Sequence, residues 1–127
     1  MTPDQGMNRL VFHSQPGAGS FLDMLRPYRG LQYEVLRDVM DALRACAPKL
    51  SEEQLPRALV SPLWGISHLG RPWALEADGM LRRNQLITDS DRANLAAFLE
   101  GFEYAVTMLL EGVPGKEAFA ADGGKRE

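Results

Sequence analysis

The chain has few of the residues from which disulfide bonds, metal sites and basic surfaces are built. Its 127 residues include one cysteine, Cys46, and two histidines, and its net charge is −3. A lone cysteine excludes a disulfide within the chain and is typical of a reducing compartment. The two distant histidines, His13 and His68, do not have the ligand spacing of a zinc site. We therefore expect no metal and no other cofactor.

Long apolar runs and an excess of basic residues are also missing. No stretch approaches the roughly 18 apolar residues of a membrane-spanning helix. The first residues do not show the charged segment followed by an apolar run that marks a signal peptide. An acidic net charge disfavours nucleic acid, which is bound by basic surfaces. The sequence therefore predicts a cytoplasmic protein with neither a membrane nor a nucleic-acid partner.

The strongest helical pattern runs from Thr88 to Gly112. Thr88 and Asp91 have the spacing of a capping box, and Gly112 followed by Pro114 is a typical helix end. On a wheel of about 100° per residue, large apolar residues share one broad face: Leu95, Phe98, Leu99, Phe102, Val106, Leu109 and Leu110. Because a helix this apolar must be covered on two sides, we expect it to be the central helix of the fold.

Small residues form a second face of the same helix, at every fourth position: Ala93, Ala97, Gly101 and Ala105. This spacing predicts that a neighbouring helix crosses closely at Gly101, where a larger side chain would hold the two backbones apart. The remaining strip faces solvent and is acidic, since residues 88–112 contain five acids and one base.

Shorter helices are predicted around this central one. Residues 20–26 and 27–47 are two helical segments, divided by Pro27 and closed by Pro48. Ser51 resembles a helix cap, which favours a short helix from residue 52 or 56 to 60. Ser61-Pro62 then predicts a break and a new helix over residues 62–69.

The domain organisation follows from where these patterns stop. Residues 1–19 are rich in Gly, Pro, Gln and Ser and predict a flexible arm, whereas residues 113–127 predict a tail. Residues 20–112 form the predicted domain, a small all-α bundle of four or five helices. Within it, Asp78-Gly79 favours a turn or short hairpin near residues 73–84.

The least ordinary stretch lies between Trp64 and Asn84, where tryptophans and arginines occur in broken, mostly non-helical sequence. Such residues are common anchors of protein interfaces. The alternative is that the tryptophans belong to the core, since a domain of this size needs large core residues, and that the arginines are ordinary surface residues. No nucleophile is paired with a base, which favours a non-catalytic protein-binding module such as a small adaptor or inhibitor. The predicted partner-binding residues are Arg71, Trp73, Asp78, Arg82, Arg83 and Asn84.

Other interpretations remain open at this stage. Arg71, Arg82, Arg83 and His68 could surround an anionic ligand or substrate, if their side chains converge in one pocket. Leftover apolar surface could instead make the protein a structural homo-oligomer, for example a homodimer. The acidic strip of the last long helix could also receive the arginines internally, which would leave them unavailable to a partner.

Overall fold

A computed structural model describes residues 1–25, 28, 30–71 and 87–120. Over these residues the protein has six helices and no strand, which confirms the predicted all-α fold. In chain order the helices are α1 Pro3–His13, α2 Phe21–Leu25, α3 Tyr33–Leu50, α4 Arg57–Gly70, α5 Asp89–Leu110 and α6 Gly115–Ala118. None of these helices combines the length and the apolar character that crossing a membrane would require.

Among the long helices of the described chain, α3 rather than α5 has the larger buried share. Nine of the 18 residues of α3 are buried, against five of the 22 residues of α5. Helix α3 also contacts α1, α2, α5 and α6. The core is therefore built around α3, while α5 packs on it from one side with α4 and α6 as further neighbours.

Residues 3–13 form helix α1, not the flexible arm that their composition predicts. The Thr2 hydroxyl accepts the backbone N–H of Gln5, and the Gln5 side chain accepts that of Thr2, so the helix begins with a capping box. Pro3 occupies the first turn, where its missing N–H costs nothing. Leu10 and His13 are buried against the body. Local capping and tertiary burial together outweigh a Gly- and Pro-rich composition.

Two prolines lie inside helices rather than at their ends. Pro48 lies in the last turn of α3, which continues to Leu50, and Pro62 lies in the middle of α4. Each proline removes one backbone hydrogen bond. Pro62 is itself buried, and Leu50 is 2% exposed. Apolar burial on both sides of each proline therefore keeps the helix continuous, and the predicted break at residues 61–62 is wrong.

The ends of α3 also differ from the predicted ones. Gly30 has a φ of +94°, which a right-handed helix does not allow, so α3 begins at Tyr33 and not at Pro27. At the other end Ser51 caps the C-terminus of α3, and its N–H bonds back to the carbonyl of Pro48. Ser51 therefore does not start a helix, and α4 begins after Pro56.

The bounds and caps of helix α5 agree closely with the prediction, although α5 is not the central helix that its apolar face predicted. The Thr88 side chain accepts the N–H of Asp91, and Gly112 follows the helix with a φ of +84°. The close crossing expected at Gly101 is not found among the described residues, because no described atom lies within 4 Å of a Cβ built there. The tight crossing is at Gly6, where an added Cβ would lie 2.5 Å from the carbonyl oxygen of Ala42 in α3.

Two further predicted segments are only partly within the described chain. The turn or hairpin near residues 73–84 lies outside the described residues. The predicted tail begins with helix α6, and Ala118 and Phe119 are buried, so the chain is packed against the core as far as Phe119.

Candidate functional site

Helices α4 and α5 form an antiparallel pair. The Ser67 hydroxyl of α4 donates a hydrogen bond to Glu103 of α5. One turn further along α4, a Cβ on Gly70 would lie 2.9 Å from Leu99, which is one turn further back in α5. Residue numbers thus rise in one helix as they fall in the other, and the two helices are close at the Gly70 end.

Towards the opposite end the two helices leave an open apolar cleft between them, which we call the α4–α5 groove. Its volume is about 280 Å³. Its walls are mostly aliphatic and aromatic: Leu55, Val60, Leu63, Trp64, Ser67, Phe102, Glu103, Val106, Thr107 and Leu110. Leu63 and Phe102 are buried at 7% and 1% exposure, so the groove has a firmly packed floor.

The rims of the groove carry large apolar side chains that face solvent. Trp64 is 67% exposed, Val60 45% and Leu110 50%. Trp64 stacks on His68, one turn further along α4, with ring centroids 5.2 Å apart and ring planes 13° apart. The His68 ring lies against one face of the indole. The rims therefore expose large apolar side chains beside the groove.

An ion pair lies beside the Gly70 end of the groove. The guanidinium of Arg71 donates to both carboxylate oxygens of Glu103, with Nη2–Oε1 and Nε–Oε2 distances of 2.6 and 2.9 Å. Hydrogen bonds from Arg71 lower the pKa of Glu103; partial burial opposes this shift, and the Ser67 hydroxyl adds to it. Glu103 is therefore a carboxylate at neutral pH and is held by its two partners.

Of the predicted partner-binding residues, Arg71 lies within the described chain and is paired with Glu103. This is the pairing between an arginine and the acidic strip of α5 that was predicted as an alternative to partner binding. The other predicted residues, Trp73, Asp78, Arg82, Arg83 and Asn84, lie outside the described residues. His68, proposed for an anion site, contacts Trp64. Sequence reasoning missed Leu110, because its place on the apolar face predicted burial, and Val60, which it gave only as the end of a short helix.

A second polar cluster lies between α1 and α3, and its chemistry is different. His13 is 1% exposed; its Nδ1 accepts the backbone N–H of Phe21, so Nε2 carries the proton and donates to Asp38 at 2.7 Å. Arg9 also donates to Asp38, with Nη2 at 2.8 Å. Both ring nitrogens of His13 are thus used in holding α1, α2 and α3 together.

Two opposing effects act on the titration of this cluster. Burial lowers the pKa of His13 and outweighs the hydrogen bond and charge of Asp38, which raise it. Burial alone would raise the pKa of Asp38, but hydrogen bonds from His13 and Arg9 and the charge of Arg9 lower it overall. The folded protein therefore favours a neutral imidazole beside a carboxylate.

The single thiol and the metal-ligating residue types form no further candidate site within the described chain. Cys46 is buried in α3, and burial raises its pKa to about 11, so it is not a thiolate near neutral pH. Within the described ranges, no three His, Cys, Asp or Glu side chains are grouped so as to hold a metal ion. The α4–α5 groove is therefore the strongest candidate site of the described chain.

Comparisons with protein-family models, with curated proteins and with solved structures find no match to this chain.

Proposed function

We propose that the protein is a non-catalytic protein-binding module, such as a small adaptor or inhibitor, and that the α4–α5 groove receives an amphipathic helix of its partner. The observation that carries this proposal is the exposed Trp64, which stacks on His68 at the rim of an apolar groove. Trp is among the residues that most often dominate binding energy, above all when its environment becomes fully desolvated on binding.

The dimensions of the groove favour a helix as the ligand. Its lining residues on α4 extend from Val60 to Ser67, which is about two helical turns at roughly 1.5 Å per residue. Helix-in-groove binding uses apolar anchors at positions i, i+3 or i+4, and i+7, which is the same length. Val60 and Trp64 on one rim and Leu110 on the other would contact both sides of such a helix.

The same features disfavour a small-molecule enzyme. A volume of about 280 Å³ lies just below the roughly 300–1,000 Å³ of most small-molecule pockets. The charged groups at its edge, Arg71 and Glu103, neutralise each other, and the lowered pKa of Glu103 makes it a weak base near neutral pH. A cytoplasmic location is part of the proposal and is supported by the free, buried thiol of Cys46.

Site-specific photocrosslinking in the source cell tests the proposal. A photoreactive phenylalanine derivative replaces Thr107, an exposed residue of the groove, and in a matched control it replaces Glu34, an exposed residue of α3. We expect Thr107, and not Glu34, to crosslink to a discrete partner protein. The crosslinked partner peptide should carry apolar residues at helical spacing.

The identified partner is then purified, and its affinity is measured for the wild-type chain and for Trp64→Ala. A hot-spot residue contributes about 2 kcal/mol or more, so we expect at least a 30-fold weaker affinity, since about 1.4 kcal/mol corresponds to tenfold. An unchanged affinity would overturn the proposal. So would crosslinks at Thr107 that join two copies of this chain, that stay within one copy, or that do not exceed those at Glu34.

A further inference from the structure

The end of the α4–α5 groove near Leu55 and Leu110 is formed by chain segments that are rich in carboxylates. Exposed acids flank these two lining residues in the sequence: Glu52, Glu53, Glu111 and Glu117. The exposed bases of the same segments are Arg57 and Lys116. Four exposed acids against two exposed bases give these two described segments a net charge of −2.

Among the described residues, the opposite end of the groove has one charged pair and one further acid. Arg71 is neutralised by Glu103, and Glu100, three residues before Glu103 in α5, is exposed. The described segments at the ends of this apolar groove are thus acidic on balance, as is the whole chain with its net charge of −3. Charge of this kind selects between partners that share the same apolar face.

Resting on the proposed function, we infer that the bound helix is basic: it carries lysine or arginine beside its apolar anchors, above all at the end that lies over Leu55 and Leu110. A second copy of this chain fits the groove poorly for the same reason. Symmetric pairing through this surface would bring the two acidic ends into one interface, and like charges there oppose association.

Two synthetic helical peptides separate the role of charge from the role of apolar contact. Both carry leucine at positions i, i+4 and i+7 on an alanine and glutamine background; one is flanked by three lysines and the other by three glutamates. Affinity for the full chain is measured by fluorescence anisotropy at low and at high salt. We expect the lysine peptide to bind about tenfold more tightly at low salt, the sum of several exposed charge pairs, and this advantage to shrink at high salt.

Charge reversal on the protein provides the matched control. Glu111→Lys should reduce the preference for the lysine peptide, whereas Glu34→Lys, on α3, should leave it unchanged. Equal binding of the two peptides, or an equal effect of the two variants, would overturn the inference about charge while the groove remains a binding site. If neither peptide binds, or if Trp64→Ala binds both as well as the wild type does, the proposed function fails and this inference fails with it.

Discussion

Two helix pairs of this protein pack differently: one is in close contact, and the other leaves a groove between its helices. Between α1 and α3, Gly6 lets the backbones approach so closely that a Cβ would lie 2.5 Å from the Ala42 carbonyl oxygen, and Leu10 is fully buried. Between α4 and α5, a 280 Å³ groove remains, with Trp64 67% exposed on its rim. The first interface is sealed by a small residue, whereas the second is close at Gly70 and stays open between large residues towards its other end.

The polar groups of the two interfaces also differ in how deeply they are buried. In the α1–α3 interface, His13 is 1% exposed, and its bonds to Asp38 and to the Phe21 N–H satisfy both ring nitrogens. In the α4–α5 interface, Glu103 and Arg71 are about one-third exposed and lie at the edge of the groove. A buried polar group must be fully paired, whereas a group at an edge retains water. The first cluster therefore stabilises the fold, and the second borders a surface.

The largest predicted difference in stability is between an alanine substitution on the floor of the groove and one on its rim. Phe102 is 1% exposed, so Phe102→Ala should lower the free energy of unfolding by about 3–5 kcal/mol. Trp64→Ala removes a mostly exposed ring and should change it by less than about 0.5 kcal/mol. Urea melts of both variants measure the difference. A loss at Trp64 comparable to that at Phe102 would mean that the rim is part of the core.

The sealed interface is best tested at its glycine. In Gly6→Ala the new methyl group would meet the Ala42 carbonyl oxygen and the Ala45 Cβ, at 2.5 and 2.8 Å. Since backbone atoms cannot move aside easily, α1 must shift away from α3, and we expect a loss of about 1–3 kcal/mol of stability. The same urea melts measure it. An unchanged stability would show that α1 and α3 are less closely packed than their geometry indicates.

The α1–α3 cluster also predicts a pH dependence. Folding lowers the pKa of His13, so just below pH 6.5 the unfolded chain binds a proton at this residue more readily than the folded chain does. The free energy of unfolding therefore decreases as the pH falls below about 6.5. The pKa of Asp38 is lowered as well, so its contribution is lost separately, only as the pH falls below 3.8. Thermal melts from pH 5 to pH 8 should show stability rising with pH. His13→Gln should flatten that slope, and an unchanged slope would exclude His13 as its source.

Helix α5 could be predicted from the sequence because its signals are local. Thr88 and Asp91 cap it, and Gly112 ends it, with no help from the rest of the fold. Helix α1 carried the same type of signal in Thr2 and Gln5, but the surrounding glycines and prolines concealed it. Recognising that Thr2 and Gln5 have capping-box spacing would have corrected the prediction.

The groove could not be predicted in this way, because exposure depends on which elements meet in space. Trp64 and Leu110 have the same apolar character as Leu63 and Leu109, yet the first two are exposed and the last two are buried. Helical periodicity indicates that a face is apolar, but not how far a neighbouring helix covers it. The paired Arg71 and Glu103 are 32 residues apart in the sequence, and only the antiparallel packing of α4 and α5 brings them together.

The smallest predicted effect concerns Gly101, the counterpart of Gly6 in the more open helix pair. No described atom lies within 4 Å of a Cβ at Gly101, so alanine there meets no described neighbour and gains helix propensity. We expect Gly101→Ala to raise the free energy of unfolding by up to about 1 kcal/mol, opposite in sign to Gly6→Ala. Urea melts of the two variants, run side by side, measure the contrast. If Gly101→Ala lowers stability instead, a close neighbour covers this face of α5, as the recurring small residues at 93, 97, 101 and 105 predict. The open part of the α4–α5 pair is then confined to the groove.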